Sequence, residues 1–196
     1  MKKFILAFAL VSSFLVFLSC SNKDSEFYNE LTLAAPNLLL IDTQTSYAVQ
    51  DTLWLHTAFS RYQAEENQPN LLDIYQTTGQ APSFFFTFII EKKAADGSWN
   101  FYPFLTNLLV DQGVAQAYDG YYTGYSVYNE TAKTYDFKSG LKLTEPGQYR
   151  LYFGYESLSS RTVLLRSNSL ARNFFINIQS SISALDASGY YAFTVN

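Results

Sequence analysis

Residues 141–153 read LKLTEPGQYRLYF, and this stretch decides the fold class. Leu141 and Leu143 alternate with Lys142, Pro146-Gly147 turns the chain, and Tyr149, Leu151, Phe153 and then Tyr155 take every second position. Successive side chains of a strand point to opposite faces, so a period of two on both sides of a turn predicts two half-buried strands.

The same signature continues upstream and downstream. Leu53, Leu55, Thr57 and Phe59 alternate with Thr52, Trp54, His56 and Ala58, which predicts a strand with one buried face. In SFFFTFIIEKK, Phe84, Phe86, Phe88 and Ile90 share a face, and Phe85 and Ile89 make the other face apolar too. AADGSW is a hairpin turn signal. LLLI (38–41) reads as the first strand, and LLDIYQTTG as another. The runs RTVLLR, ARNFFINI and YYAFTV follow, each short and bounded by Gly, Ser or Asn. With 16 Tyr and 17 Phe, the composition also favours strands. The expected architecture is all-β: roughly nine or ten short strands at sandwich-like spacing, forming a single domain over residues 38–196.

The opening stretch resembles the tyrosine corner of immunoglobulin-like domains. There, a tyrosine early in strand F hydrogen-bonds back across the E–F turn. YAVQDTLWL (47–55) likewise resembles the approach to strand B of such domains. The resemblance implies an immunoglobulin-like antiparallel β-sandwich, with Tyr149 as the corner residue. The cysteines of strands B and F are absent, and the gap from Leu55 to Tyr149 is long, so an insertion over 104–138 is expected. A transthyretin-like or jelly-roll sandwich reads similarly.

The N-terminus carries a separate message. Met1-Lys2-Lys3 is a short basic start, Phe4 to Leu18 is apolar apart from Ser12 and Ser13, and Ser19 precedes Cys20, the only cysteine. This is the layout of a secretory signal peptide over 1–19. The apolar run falls short of the roughly 20 residues a bilayer span needs. FLSC (17–20) resembles the bacterial lipobox, with Phe17 in place of the usual leucine. That resemblance implies that Cys20 becomes the lipidated N-terminus, followed by a tether to about residue 37. Two or more acyl chains give stable anchoring. Ser21 and the SNKDSE tract resemble outer-membrane lipoproteins of Bacteroidota-type bacteria, which implies an outer-membrane location facing either the periplasm or the exterior. Asp51-Thr52-Leu53 resembles the short O-glycosylation string of envelope proteins from such bacteria, and an aspartate turning into a strand explains it equally well.

Composition narrows the function. Removing 1–19 takes away Lys2 and Lys3 and shifts the net charge from −4 to −6. An acidic chain without basic clusters is not built for nucleic acid. His56 is the only histidine and alternates with Trp54, so a surface or packing role is expected rather than a catalytic one. Ser139 and Lys142 match an S-x-x-K string, but that chemistry needs a helix, and here a strand is expected. No zinc spacing, phosphate loop or calcium loop occurs, and no cofactor is expected. Asp111, Asp119 and Asp136 are candidates for a carboxylate pair of a glycan-active enzyme, though turn roles suit them as well.

The segment AYDGYYTGYSVYNE is the strongest binding candidate, through Tyr118, Tyr121, Tyr122, Tyr125 and Tyr128. Gly120 and Gly124 argue against a helix there, at about 1 kcal/mol each, and favour a strand or ordered loop. Tyrosine combines a flat apolar ring with a hydroxyl at low entropic cost, as a binding surface requires. The tyrosines either form such a surface or simply cover a sheet. The expected function is a non-catalytic lipoprotein that binds an envelope protein or a glycan.

Overall fold

A computed structural model describes residues 29–103, 108–154, 161–169 and 174–196. The expected signal peptide, Cys20 and the start of the tether lie outside them. The protein is all-β, with sixteen strands and one four-residue helical turn among the described residues. The opening third contains β1 (Asn29–Ala34), β2 (Leu39–Ile41), β3 (Ser46–Tyr47), β4 (Thr52–Ser60), β5 (Tyr62–Gln63) and β6 (Leu72–Asp73). The helical turn α1 (Ile74–Thr77) leads to β7 (Ser83–Lys93), β8 (Trp99–Phe101), β9 (Leu108–Gln112), β10 (Val114–Ala117) and β11 (Tyr122–Asn129). The chain ends with β12 (Thr134–Lys142), β13 (Gly147–Tyr152), β14 (Thr162–Ser167), β15 (Phe174–Ser181) and β16 (Tyr191–Val195).

Two pairing networks share β7. The first runs β1-β15-β14-β7-β11-β12-β4-β2, with β10 on β11 and β9 on β12. The second joins β3, β16, β13, β7 and β8. The eleven residues of β7 make this possible. Its Ser83–Phe88 half pairs with β11, and its Ile89–Lys92 part pairs with β13. The expected inward faces hold: Leu53, Leu55 and Phe59, and Phe84, Phe86, Phe88 and Ile90, are all buried. They join Tyr135, Phe137, Leu151 and Phe193 in one apolar cluster that serves both networks.

The opening stretch proves to be a crossing. β12 pairs with β4, and β13 pairs with β7 and β16, so the Pro146-Gly147 turn carries the chain from one network to the other. Tyr149 donates its hydroxyl to the Glu145 carbonyl at 2.9 Å, across the Pro146-Gly147 turn. Burial, followed by the neighbouring Tyr102, pushes that hydroxyl well above the ordinary tyrosine range.

Four expectations need correction. The tether does not reach residue 37, because Asn29–Ala34 form β1, paired in parallel with β15. LLDIYQTTG is only briefly extended. The Asp73 side chain accepts from the Gln76 amide at 3.1 Å and caps α1, so local capping outweighs the apolar run. The described strands number sixteen rather than nine or ten, and two pairings, β1 with β15 and β3 with β16, are parallel within an expected antiparallel frame; part of the surplus lies in the segment expected as an insertion over 104–138. β9 and β10 form a bent segment between diverging strands, β9 on β12 and β10 on β11, with Gly113 in the fork. Gly113 has φ +72°, and a Cβ there would sit 2.4 Å from the Tyr125 carbonyl oxygen, so only glycine fits.

Candidate functional site

The strand order builds one broad outward face, exposed at its β10 and β1 ends and half-buried to buried between them. On β10, β11, β7, β14, β15 and β1, the residues pointing away from the core fall into cross-strand rows. One row follows the register without a break: Val114, Tyr125, Phe85, Arg166, Asn177, Thr32. Neighbouring strands lie about 4.8 Å apart, so the four residues from Tyr125 to Asn177 span about 14 Å.

One end of this face is aromatic. Tyr118 and Tyr121 stack with ring centroids 5.0 Å apart and planes 12° from parallel. Tyr118 donates to Gln116 Oε1 at 2.6 Å. Tyr125 lies 6.1 Å from Phe85, and burial together with a hydrogen bond to Tyr118 raises its pKa. The middle of the face is polar. Arg166 Nη2 donates to Glu30 Oε1 at 2.9 Å, and the guanidinium sits 4.7 Å from the Phe175 ring centre. Asn177 Nδ2 reaches Glu30 Oε2 at 3.4 Å. Further along β15, Gln179 and Ser181 line an open depression of about 280 Å³ with Ala34, Pro36 and Thr162.

Two of the five expected tyrosines are not on this face. Tyr122 is fully buried, stacked on Phe88 at 5.1 Å, with its hydroxyl donated to the Tyr102 carbonyl. It points inward because β11 alternates, which places Tyr121 and Tyr122 on different sides. Tyr128 belongs to a separate cluster. It stacks on Tyr75 at 4.0 Å and accepts from Arg61, which also pairs with Asp73. Burial works to raise the Asp73 carboxyl, but the Arg61 and Gln76 hydrogen bonds outweigh it and hold the pKa below the usual carboxylate value.

The other candidates are engaged singly. His56 meets Asp42 at 3.0 Å on the exposed side of β4. Ser139 is buried and donates to the Leu109 carbonyl, while Lys142 lies at an outward position on β12, so the S-x-x-K pair does not meet. Asp111 pairs with Lys138 at 2.9 Å, and Asp136 accepts from Asn129 at 2.9 Å. Asp51 accepts from the Ala48 amide at the turn into β4. Among the described residues no group of three or more His, Cys, Asp or Glu is placed to hold a metal.

Sequence reasoning missed Phe85, Arg166, Asn177 and Glu30. The available signal was alternation: Phe85 is the outward residue of a strand otherwise dominated by inward phenylalanines, and Asn177 is the polar residue inside FFINI. It also missed a second aromatic group, in which the Arg150 guanidinium lies between Trp99 and Tyr190, 4.5 and 4.3 Å from their ring centres. Arg150 Nε donates to Glu91 at 2.5 Å. Nearby, burial and then the Glu91 charge push Tyr152 up to about 12.

In comparisons with known proteins, no family model and no curated protein matches this chain.

Proposed function

We propose that the protein is a non-catalytic, lipid-anchored binding module of the bacterial outer membrane, and that its outward six-strand face takes a glycan. The observation that carries this reading is the gathering of Tyr118, Tyr121, Tyr125 and Phe85 on one face, beside Gln116, Arg166 and Glu30. Sugar rings present apolar faces that stack on aromatic rings, and hydroxyl edges that need both donors and acceptors. A sheet face admits an extended chain, which an enclosed small-molecule pocket does not. The carboxylates Asp111 and Asp136 are held in separate local contacts, and this favours binding over hydrolysis.

An immunoglobulin-like frame fits the same reading. β4 and β12 pair as strands B and E do, and β13 lies between β7 and β16 as F lies between C and G. The Tyr149 hydrogen bond spans the turn between the positions of E and F. Anchoring rests on the FLSC stretch and Cys20.

Titration of the purified protein with soluble polysaccharides tests the function. Binding by wild type that falls about tenfold or more in Tyr121→Ala and Tyr125→Ala is the expected result. Wild type that binds no glycan, or variants that bind as well as wild type, refute it. For the anchor, Cys20→Ala is expected to release the protein from membranes; unchanged retention and mass refute lipidation. A second reading, docking of an envelope protein, is favoured by exposed Leu109, Val110 and Val114 on β9 and β10. A pull-down from native membranes separates the two.

A further inference from the structure

Among the described residues, two buried side-chain polar atoms lack a hydrogen-bond partner: Arg61 Nε and Asn177 Oδ1. Arg61 already uses both terminal nitrogens in a closed cluster of Asp73, Tyr75 and Tyr128, so its orphan nitrogen belongs to a structural knot. Asn177 is different. It is 6% exposed, stands on the outward face, and belongs to the same row as Tyr125 and Phe85. A buried acceptor without a donor is costly, and native chains rarely keep one unless something fills it.

We propose that Asn177, Arg166 and Glu30 form a hydroxyl-reading subsite for a neutral sugar ring, seated beside the aromatic platform. This deepens the glycan reading above and rests on it. The three side chains offer complementary chemistry within one cross-strand neighbourhood. Asn177 Oδ1 is an unfilled acceptor with almost no surface of its own, so a ligand reaches it only as the part-exposed Arg166 and Glu30 side chains draw aside; Arg166 then serves as donor, and Glu30 is an acceptor already turned toward both. Two vicinal hydroxyls match that set: one donates to Asn177 Oδ1 while accepting from Arg166, and its neighbour donates to Glu30. The row supplies the spacing, because Phe85 is the cross-strand neighbour of Arg166 and Tyr125 follows on β11. A chain stacked on Tyr125 and Phe85 therefore brings its next ring over Arg166 and Asn177. The charge selects the ligand class. Glu30 neutralises Arg166, so a carboxylated sugar finds its counter-ion taken and a like charge beside it.

The test is a titration of the full chain, in detergent, with neutral β-glucan and mannan oligosaccharides and with polygalacturonate fragments. Wild type and the variants Tyr125→Ala, Asn177→Leu and Arg166→Met are compared, with thermal melts run in parallel. The expected result is binding of a neutral oligosaccharide in preference to polygalacturonate. Asn177→Leu and Arg166→Met should each lose about tenfold or more in affinity, and Asn177→Leu should melt no earlier than wild type, since it removes an unsatisfied group. If Tyr125→Ala loses binding while Asn177→Leu or Arg166→Met keeps it, the subsite is wrong and the platform stands. Preference for polygalacturonate overturns the neutral-sugar assignment, and a misfolded Asn177→Leu makes Asn177 structural and overturns the subsite. Failure of wild type to bind any of the probes removes the glycan reading and the subsite together.

Discussion

Single residues in this protein do their work through one atom or its absence. The Tyr149 hydroxyl ties the turn after β12 back to the strand that follows it. Tyr149→Phe keeps the ring stacked on Phe193 and loses the bond alone, which should cost about 0.5–1.5 kcal/mol in urea unfolding. Gly124 is the opposite case, since its missing side chain makes room for others. A Cβ there would lie 2.5 Å from the Phe86 ring and 3.0 Å from that of Phe137. Those two rings meet edge to face at 5.1 Å across the core. Gly124→Ala forces them apart and should cost about 1–3 kcal/mol, measured by the same denaturation. Tyr149 was readable from sequence because its partner lies four residues upstream. The need for glycine at 124 was not, because the ring that fills the space comes from another strand.

At the scale of elements, strands whose apolar residues alternate or run together were readable whatever their length, as β4, β7, β13, β14 and β16 show, and strands of mixed polarity were not. β4 and β7 carry their pattern within themselves. β1 is six residues of mixed polarity whose pairing depends on β15, near the other end of the chain, so no local feature announces it. In α1, the cap overrides the pattern through Asp73. Because hydrogen bonds hold the Asp73 pKa below its unfolded value, its ionised form stabilises the fold above about pH 3.9. That contribution disappears as pH falls through the lower folded value. Asp73→Asn keeps an N-cap but removes the charge, so its melting temperature should fall less steeply on the acid side than that of wild type. The fork between β9 and β10 depends on Gly113 in the same way. Gly113→Ala meets two backbone carbonyls that cannot move aside, and should speed hydrogen exchange of the β9 and β10 amides well before the core opens.

For the molecule as a whole, the decisive feature is that β7 belongs to both networks and both bury their inward faces in one cluster. Neither network can lose its packing while the other keeps it. Thermal unfolding should therefore be a single transition, with far-ultraviolet dichroism and aromatic fluorescence melting together and calorimetric and van't Hoff enthalpies agreeing. The outward face is also a whole-molecule property. Tyr118, Tyr121 and Tyr125 are neighbours in sequence and drew attention there. Phe85, Arg166, Asn177 and Glu30 join them only through a register that crosses strands from four parts of the chain.

The parallel pairing of β1 with β15 gives the molecule a load path. Any pull on the chain ahead of Asn29 enters along β1 and is resisted in shear by its ladder to β15. The Glu30–Arg166 ion pair adds a side-chain tie from β1 to β14. The first described strand would thus bear any such pull, and it also supplies the Glu30 carboxylate to the outward face. A pull from the N-terminal side and a ligand on that face would act on the same six residues.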